Sequence, residues 1–196
     1  MTTENRKLMQ MARESLDQKW GLCIGTYLVY LLIMGGLGTI PVAPLIVGGP
    51  FALGVAMFTL SVSRKEESRI EQIFHGFEYF GNSLVAYLLM TLFILLWSLL
   101  LIVPGIIAAF SYSMTFFIMA DDPTIGPVAA LEKSKKMMNG YKWKLFCLNL
   151  RFIGWFILCL LTLGLGFLFL TPYVYVSHAK FYEDLKANEQ TSEPVA

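Results

Sequence analysis

Arg151 is the one strong charge set inside what reads as an oily helix, and an ionisable group at such a position is a functional candidate by default. It follows Lys144 by seven residues, so its long side chain can snorkel back to the interface. Anchoring of that kind is the plainer reading; binding of an anionic headgroup or solute is the sharper one. Lys142, Trp143 and Lys144 open the same run, and Asn149 lies two residues before Arg151. Together they offer the cations, the aromatic anchor and the amide that a lipid headgroup would meet. Asn149 is expected to hydrogen-bond between helices.

Other polar groups point less clearly to chemistry. Asp121-Asp122-Pro123 ends an apolar run, and two adjacent carboxylates supply too few ligands for a cation cage. A cap or a solvated stop before proline is expected there. Ser111, Tyr112, Ser113 and Thr115 precede it and either bond neighbouring helices or line a narrow polar path, packing being the plainer choice. His75 and His178 lack the spacing of a metal site. No Ser-His-Asp signature, P-loop or dinucleotide fingerprint is present. The expectation is a protein without catalytic residues, metal, cofactor or nucleic-acid partner. Cys23, Cys147 and Cys159 form no C-x-x-C motif and read as buried reduced thiols.

The elements that must carry these residues follow from the charge pattern. All 15 Lys and Arg and all 14 Asp and Glu fall in four islands, Glu4–Lys19, Arg64–Glu78, Asp121–Arg151 and Lys180–Glu193. Residues 20–63, 79–120 and 152–179 carry none. Each gap exceeds the ~20 residues an apolar helix needs to cross a bilayer. A gap that crosses twice returns the chain to its starting side. With 56% hydrophobic residues, the composition is that of a polytopic membrane protein rather than a soluble domain. Lys and Arg collect on the cytoplasmic side, so both termini and the long loops are placed there. The twenty-residue head is too acidic and too long for a cleaved signal peptide.

A unit recurs along the chain. Trp20-Gly21, Phe80-Gly81-Asn82 and Tyr141-Lys142-Trp143 stand about 61 residues apart, each between a polar helical stretch and an apolar gap. The expected architecture is all-α, with six transmembrane helices arranged as three hairpins, each preceded by a cytoplasmic amphipathic helix. The spans are placed near 21–39, 46–63, 83–103, 106–120, 145–163 and 167–182. A single membrane domain covers 1–187, with units near 4–63, 64–120 and 121–185, and a flexible tail covers 188–196. Leu8, Ala12, Leu16 and Trp20 mark the apolar face of the first amphipathic helix. Ile70, Ile73, Phe74 and Phe77 mark the second; Val128, Leu131, Met138 and Tyr141 mark the third. Such faces lie in the headgroup plane or pack across the ends of the spans. The returning turns are assigned to helix breakers: Pro41, Pro44, Gly48, Gly49 and Pro50, then Val103-Pro104-Gly105, then Leu163-Gly164-Leu165-Gly166. Gly21-x-x-x-Gly25 and Ala52-x-x-x-Ala56 are candidate packing seams.

The stretch from Ser111 to Tyr182 carries a resemblance. It runs Ser111-Tyr112-Ser113-Met114, Phe117-Ile118-Met119-Ala120-Asp121-Asp122-Pro123, Ala130-Leu131-Glu132-Lys133-Ser134, Met137-Met138-Asn139-Gly140 and Lys144-Leu145-Phe146. It closes with Phe152-Ile153-Gly154-Trp155, Leu161-Thr162-Leu163-Gly164, Pro172-Tyr173, Ala179 and Phe181-Tyr182. This resembles the bacterial membrane-protein family known as domain of unknown function 975. The resemblance implies a bacterial, multi-pass plasma-membrane protein and transfers no catalytic residue. The leading expectation is a lipid- or partner-binding, modulatory role, with membrane lipids, another membrane protein or a second copy as partner. The alternative is a small transporter or channel for an apolar or amphiphilic solute.

Overall fold

The structure, a computed structural model, describes residues 2–39, 42–162 and 164–192. Among these residues it is all-helical. A short helix α1 (Asn5–Leu16) precedes the long helices α2 (Trp20–Leu37) and α3 (Ala43–Ser63). A second short segment, α4 (Gln72–His75) with a 3-10 turn over Gly76–Tyr79, precedes α5 (Phe80–Leu100), α6 (Ile102–Tyr112) and α7 (Thr115–Asp121). The third, α8 (Pro127–Met137), precedes α9 (Lys142–Leu161) and α10 (Phe167–Ser192). Five stretches are long and apolar enough to cross a bilayer: Trp20–Leu37, Ala43–Ser63, Gln72–Leu100, Ile102–Asp121 and Lys142–Leu161. α10 stands apart from them because its C-terminal half carries Lys180, Glu183, Asp184, Lys186 and Glu189. It remains helical through Ser192, into the stretch 188–196 expected to be a tail; residues 193–196 lie outside the described residues.

Burial separates two kinds of helix. α3 has its apolar stretch mostly inside the protein, whereas α5 and α9 are mostly exposed and α2 is little buried. Leu28, Leu31 and Leu32 on α2, Leu95, Leu96 and Leu99 on α5, and Ile153, Phe156 and Leu160 on α9 all stand free. An apolar surface this extensive is unstable in water and matched to lipid. The core lies between α3, α7, α8, α10 and α1, where Leu53, Met119, Leu131 and Phe181 are almost fully enclosed.

α1 and α8 turn apolar faces into the protein, whereas on the second expected face Ile73 is fully buried and Phe74 is 44% exposed. Leu8, Ala12 and Leu16 on α1 are all but completely buried in protein, and Ser15 between them donates to the Ser63 carbonyl at 3.2 Å. That face therefore packs on the bundle and not on a bilayer surface. On α8 the buried residues are Ala130, Leu131, Ser134 and Met137, while Val128 is exposed. Leu131 and Met138 of the expected stripe are buried and Tyr141 packs against the core; only Val128 stands outside it, with Ala130 and Ser134 facing inward instead.

Two of the expected turns move. Gly48, Gly49 and Pro50 lie inside α3, whose first turn holds Pro44; Pro41 lies outside the described residues. These small residues serve close approach instead. A Cβ built on Gly49 falls 2.3 Å from the Ser83 carbonyl oxygen, and one on Gly54 falls 2.0 Å from that of Ile73. Reciprocally, a Cβ on Gly76 meets the Pro50 carbonyl oxygen at 1.9 Å. The seam thus runs along α3, whereas Gly21 and Gly25 face open space. The second return is a single extended residue, Leu101, with φ −160° and ψ 146°. Pro104 already lies in the first turn of α6, where its missing amide costs nothing. Gly105 lets α6 cross α5 against Ser98, whose Oγ lies 2.1 Å from where a Cβ would be. The third return is where the sequence put it. Gly164 takes φ +88° and donates to the Cys159 carbonyl at 3.0 Å, which closes α9 in a Schellman-type bond. Gly166 packs on Cys159; Leu163 lies outside the described residues. Pro172 is buried inside α10.

The fourth long stretch is broken at Ser113-Met114, between α6 and α7. Backbone groups freed at a break need partners. Ser134 on α8 supplies them: its hydroxyl donates to the Ser111 carbonyl at 2.8 Å and accepts from the Met114 amide at 3.2 Å. Ser111, Ser113 and Thr115 turn their hydroxyls onto carbonyls of their own helical segment, at Ile107, Phe110 and Tyr112. The polar run therefore stitches the kink. Ser134→Ala removes both bonds in a buried site and is expected to cost about 2 kcal/mol. Thermal unfolding in detergent measures it, and an unchanged midpoint would remove this role.

Candidate functional site

The four charged islands, separated along the chain by apolar gaps, meet at one end of the molecule. Arg64 follows the last residue of α3 and Asp121 ends α7; Arg64 Nη2 and Asp121 Oδ1 lie 2.6 Å apart. Arg64 Nε also pairs with Glu183 on α10 at 2.8 Å. Asp121 Oδ2 accepts from the Tyr182 hydroxyl at 2.9 Å and from Lys186. Burial works against the Arg64 charge, but Asp121 and Glu183 outweigh it and raise its pKa above the ordinary arginine value. Tyr182 is fixed from its other side by stacking on Phe117 at 5.7 Å.

A second clamp ties the N-terminal segment to the third unit. The Thr3 amide donates to Asp184 at 2.9 Å, and Lys144 Nζ lies 2.8 Å from the same carboxylate. Asn5 donates to the Lys144 carbonyl at 2.9 Å. Burial alone would raise the Asp184 carboxyl. Lys144 and Thr3 outweigh it and hold it below the usual carboxylate range. Lys144 also lies 5.4 Å from the Phe181 ring centroid. Further bonds run from Lys180 to the Ser63 carbonyl and from Lys19 to that of Glu66.

This geometry sorts the candidate residues. Lys144, expected to face headgroups, is turned inward onto Asp184. Asn149 Oδ1 accepts from His178 Nε2 at 2.7 Å across α9 and α10, an interhelical bond of the kind expected. Asp121 and Asp122 part company. Asp121 is the hub of the network, with a side chain only 11% exposed, whereas Asp122 faces solvent and binds the Thr124 amide and hydroxyl. Thr124 holds the Asp122 carboxyl below its ordinary value. Lys142 is half-buried. Trp143 is 72% exposed and stacks on Phe146 at 5.0 Å, the disposition of an interfacial anchor. Arg151 is exposed on α9 and is without ion pair or side-chain hydrogen bond among the described residues.

The residues that the sequence did not single out are Arg64, Tyr182, Glu183, Asp184 and Lys186. Their one signal was position, at the ends of apolar runs, where a charge reads equally well as a solvated stop. Comparison with known proteins then places the chain. The profile of a family described as Protein of unknown function (DUF975) matches it over residues 1–111 and 99–189. No match was found among curated proteins or among solved structures.

Proposed function

The chain belongs to that family of proteins of unknown function, DUF975, and we propose from its own geometry that it binds lipid or a partner membrane protein at its charged collar, without catalysis. It is a multi-pass membrane protein by its several apolar helices. In the proposed arrangement α10 supplies a sixth span, the three units are copies of one hairpin, and the collar faces the cytoplasm of a bacterial cell. The concentration of Lys and Arg at one end supports that orientation.

Arg151 carries the reading. It stands on the outward side of an apolar helix with no protein partner among the described residues, and an unpaired guanidinium there needs an anion from outside. Trp143, a little over two turns earlier on α9, marks the level of the headgroups. By contrast, the hydroxyls of Ser111, Ser113 and Thr115 are held by their own backbone, which counts against a polar path for ions.

Arg151→Ala is expected to lower retention of anionic phospholipid by about fivefold, the weight of one basic residue near a charged membrane surface. Native mass spectrometry of protein released from mixed-lipid vesicles measures it. Retention equal to that of the parent protein would eliminate the proposal.

A further inference from the structure

A groove of about 330 Å³ opens between α1, α2, α9 and α10 on the flank of the molecule. Its walls are Trp20, Trp155, Phe169 and Tyr173, with Cys159 and Leu158 between them, and one charged side chain, Arg13, lines it. α1 brings Arg13 there by running antiparallel along α10, from Thr3 at Asp184 to Arg13 beside Tyr173. Because Leu8, Ala12 and Leu16 hold the other side of α1 in the core, Arg13 is presented outward and exposed. Its guanidinium has no ion pair or side-chain hydrogen bond among the described residues.

The walls are as exposed as the mouth. Trp155, Leu158 and Phe169 are each about half open to the surroundings, on helix faces that are otherwise largely apolar. A soluble ligand would have no reason to prefer such walls, whereas a lipid acyl chain reaches them laterally. α9 adds charge to the mouth as well. Arg151, Trp155, Leu158 and Thr162 follow one another at four, three and four residues, which places Arg151 on the groove-side stripe one turn before Trp155.

We propose that this groove is a binding site for one anionic phospholipid, its phosphate on Arg13 and one acyl chain along Trp20, Trp155 and Phe169. An apolar trough lined by one unpaired cation, Arg13, with Arg151 a turn beyond the lining, complements that amphiphile in both charge and polarity. The proposal rests on the reading above, and it adds a defined seat and a second guanidinium.

Trp20 and Trp155 are natural reporters, because the other two tryptophans, Trp97 and Trp143, lie outside the groove. Full-length protein carrying Trp97→Phe and Trp143→Phe would be reconstituted in vesicles of phosphatidylcholine. Increasing fractions of a brominated-acyl lipid, either phosphatidylglycerol or phosphatidylcholine, would then be added, and tryptophan quenching followed. Half-quenching is expected at about fivefold lower fraction of the anionic lipid. Arg13→Gln should make the two lipids equal, and Arg13→Lys should restore most of the difference. Equal quenching by both lipids in the parent protein, or selectivity that survives Arg13→Gln, overturns the groove. Arg151→Ala in the retention assay fails or succeeds separately. Lost groove selectivity with intact Arg151-dependent retention would sink this site and leave the broader reading standing.

Discussion

A single methyl group at Gly54 is expected to destabilise the protein by at least about 3 kcal/mol, at the upper end of what over-packing usually costs. The new Cβ would sit 2.0 Å from the Ile73 carbonyl oxygen and 2.5 Å from its carbon. Those are backbone atoms of the segment leading into α5, so no rotamer change relieves the clash. The two segments would have to separate. Gly76→Ala presses on the same seam from the other side, 1.9 Å from the Pro50 oxygen and 2.7 Å from the Gly54 nitrogen. Its effect should be similar, and the double variant should cost less than the sum, since one separation relieves both. Gly21→Ala and Gly25→Ala meet nothing within 4 Å and are the matched controls, expected within about 0.5 kcal/mol of the parent. Unfolding midpoints in detergent decide between the sets. Equal losses in both would mean that the seam on α3 does not hold α4 and the 3-10 turn in place.

The same seam explains what the sequence could and could not disclose. Gly48, Gly49 and Pro50 read as a turn because glycine and proline interrupt helices in general. In α3 Gly49 is needed where two backbones nearly touch and Gly48 where the Tyr87 ring packs, and the sequence does not distinguish a break from a contact. Gly164 and Gly166 were legible because there the local chain itself demands them: α9 ends in a positive-φ residue and a 3.0 Å bond back to Cys159. The apolar face of α1 was legible from the four-residue spacing of Leu8, Ala12 and Leu16, but its partner was not. Lipid and protein select the same residues, and only the burial of that face by α10, α3 and α9 tells them apart.

Charge behaves likewise. That the islands share a side follows from apolar gaps long enough to cross twice. That Lys144 meets Asp184 while Arg151 has no partner among the described residues could not follow, because partners 40 residues apart leave no local trace. The two arginines now of most interest, Arg13 and Arg151, stand out by the opposite criterion. Each sits on an outward helix face while nearby charges such as Arg64 and Lys144 are satisfied within the protein. Arg64 and Lys144 are gathered inward, and Arg13 and Arg151 border the exposed apolar surface.

Asp121→Ala tests how much that inward set holds together. The carboxylate takes Arg64 on one oxygen and both Tyr182 and Lys186 on the other. Its loss leaves Arg64 with Glu183 alone and strands the Tyr182 hydroxyl beside Phe117. A buried pair broken in this way typically costs about 3–5 kcal/mol, and an exposed pair under about 1. Here the acid is 11% exposed, but Arg64 and Lys186 are 29% and 39% exposed, so water relieves part of the penalty. The expected loss is therefore about 2 kcal/mol, between those limits. Asp121→Asn should lose less, because an amide oxygen still accepts from Tyr182. Asp122→Ala is the internal control, since its solvent-facing carboxylate binds only Thr124 and the backbone beside it, and its midpoint should match the parent. Raising the salt should shrink the gap between Asp121→Ala and the parent only slightly, because screening acts weakly on partly enclosed pairs. If Asp121→Ala and Asp122→Ala unfold together, the ion-pair hub is decoration, and the collar is held by the apolar contacts of α1, α3 and α10 alone.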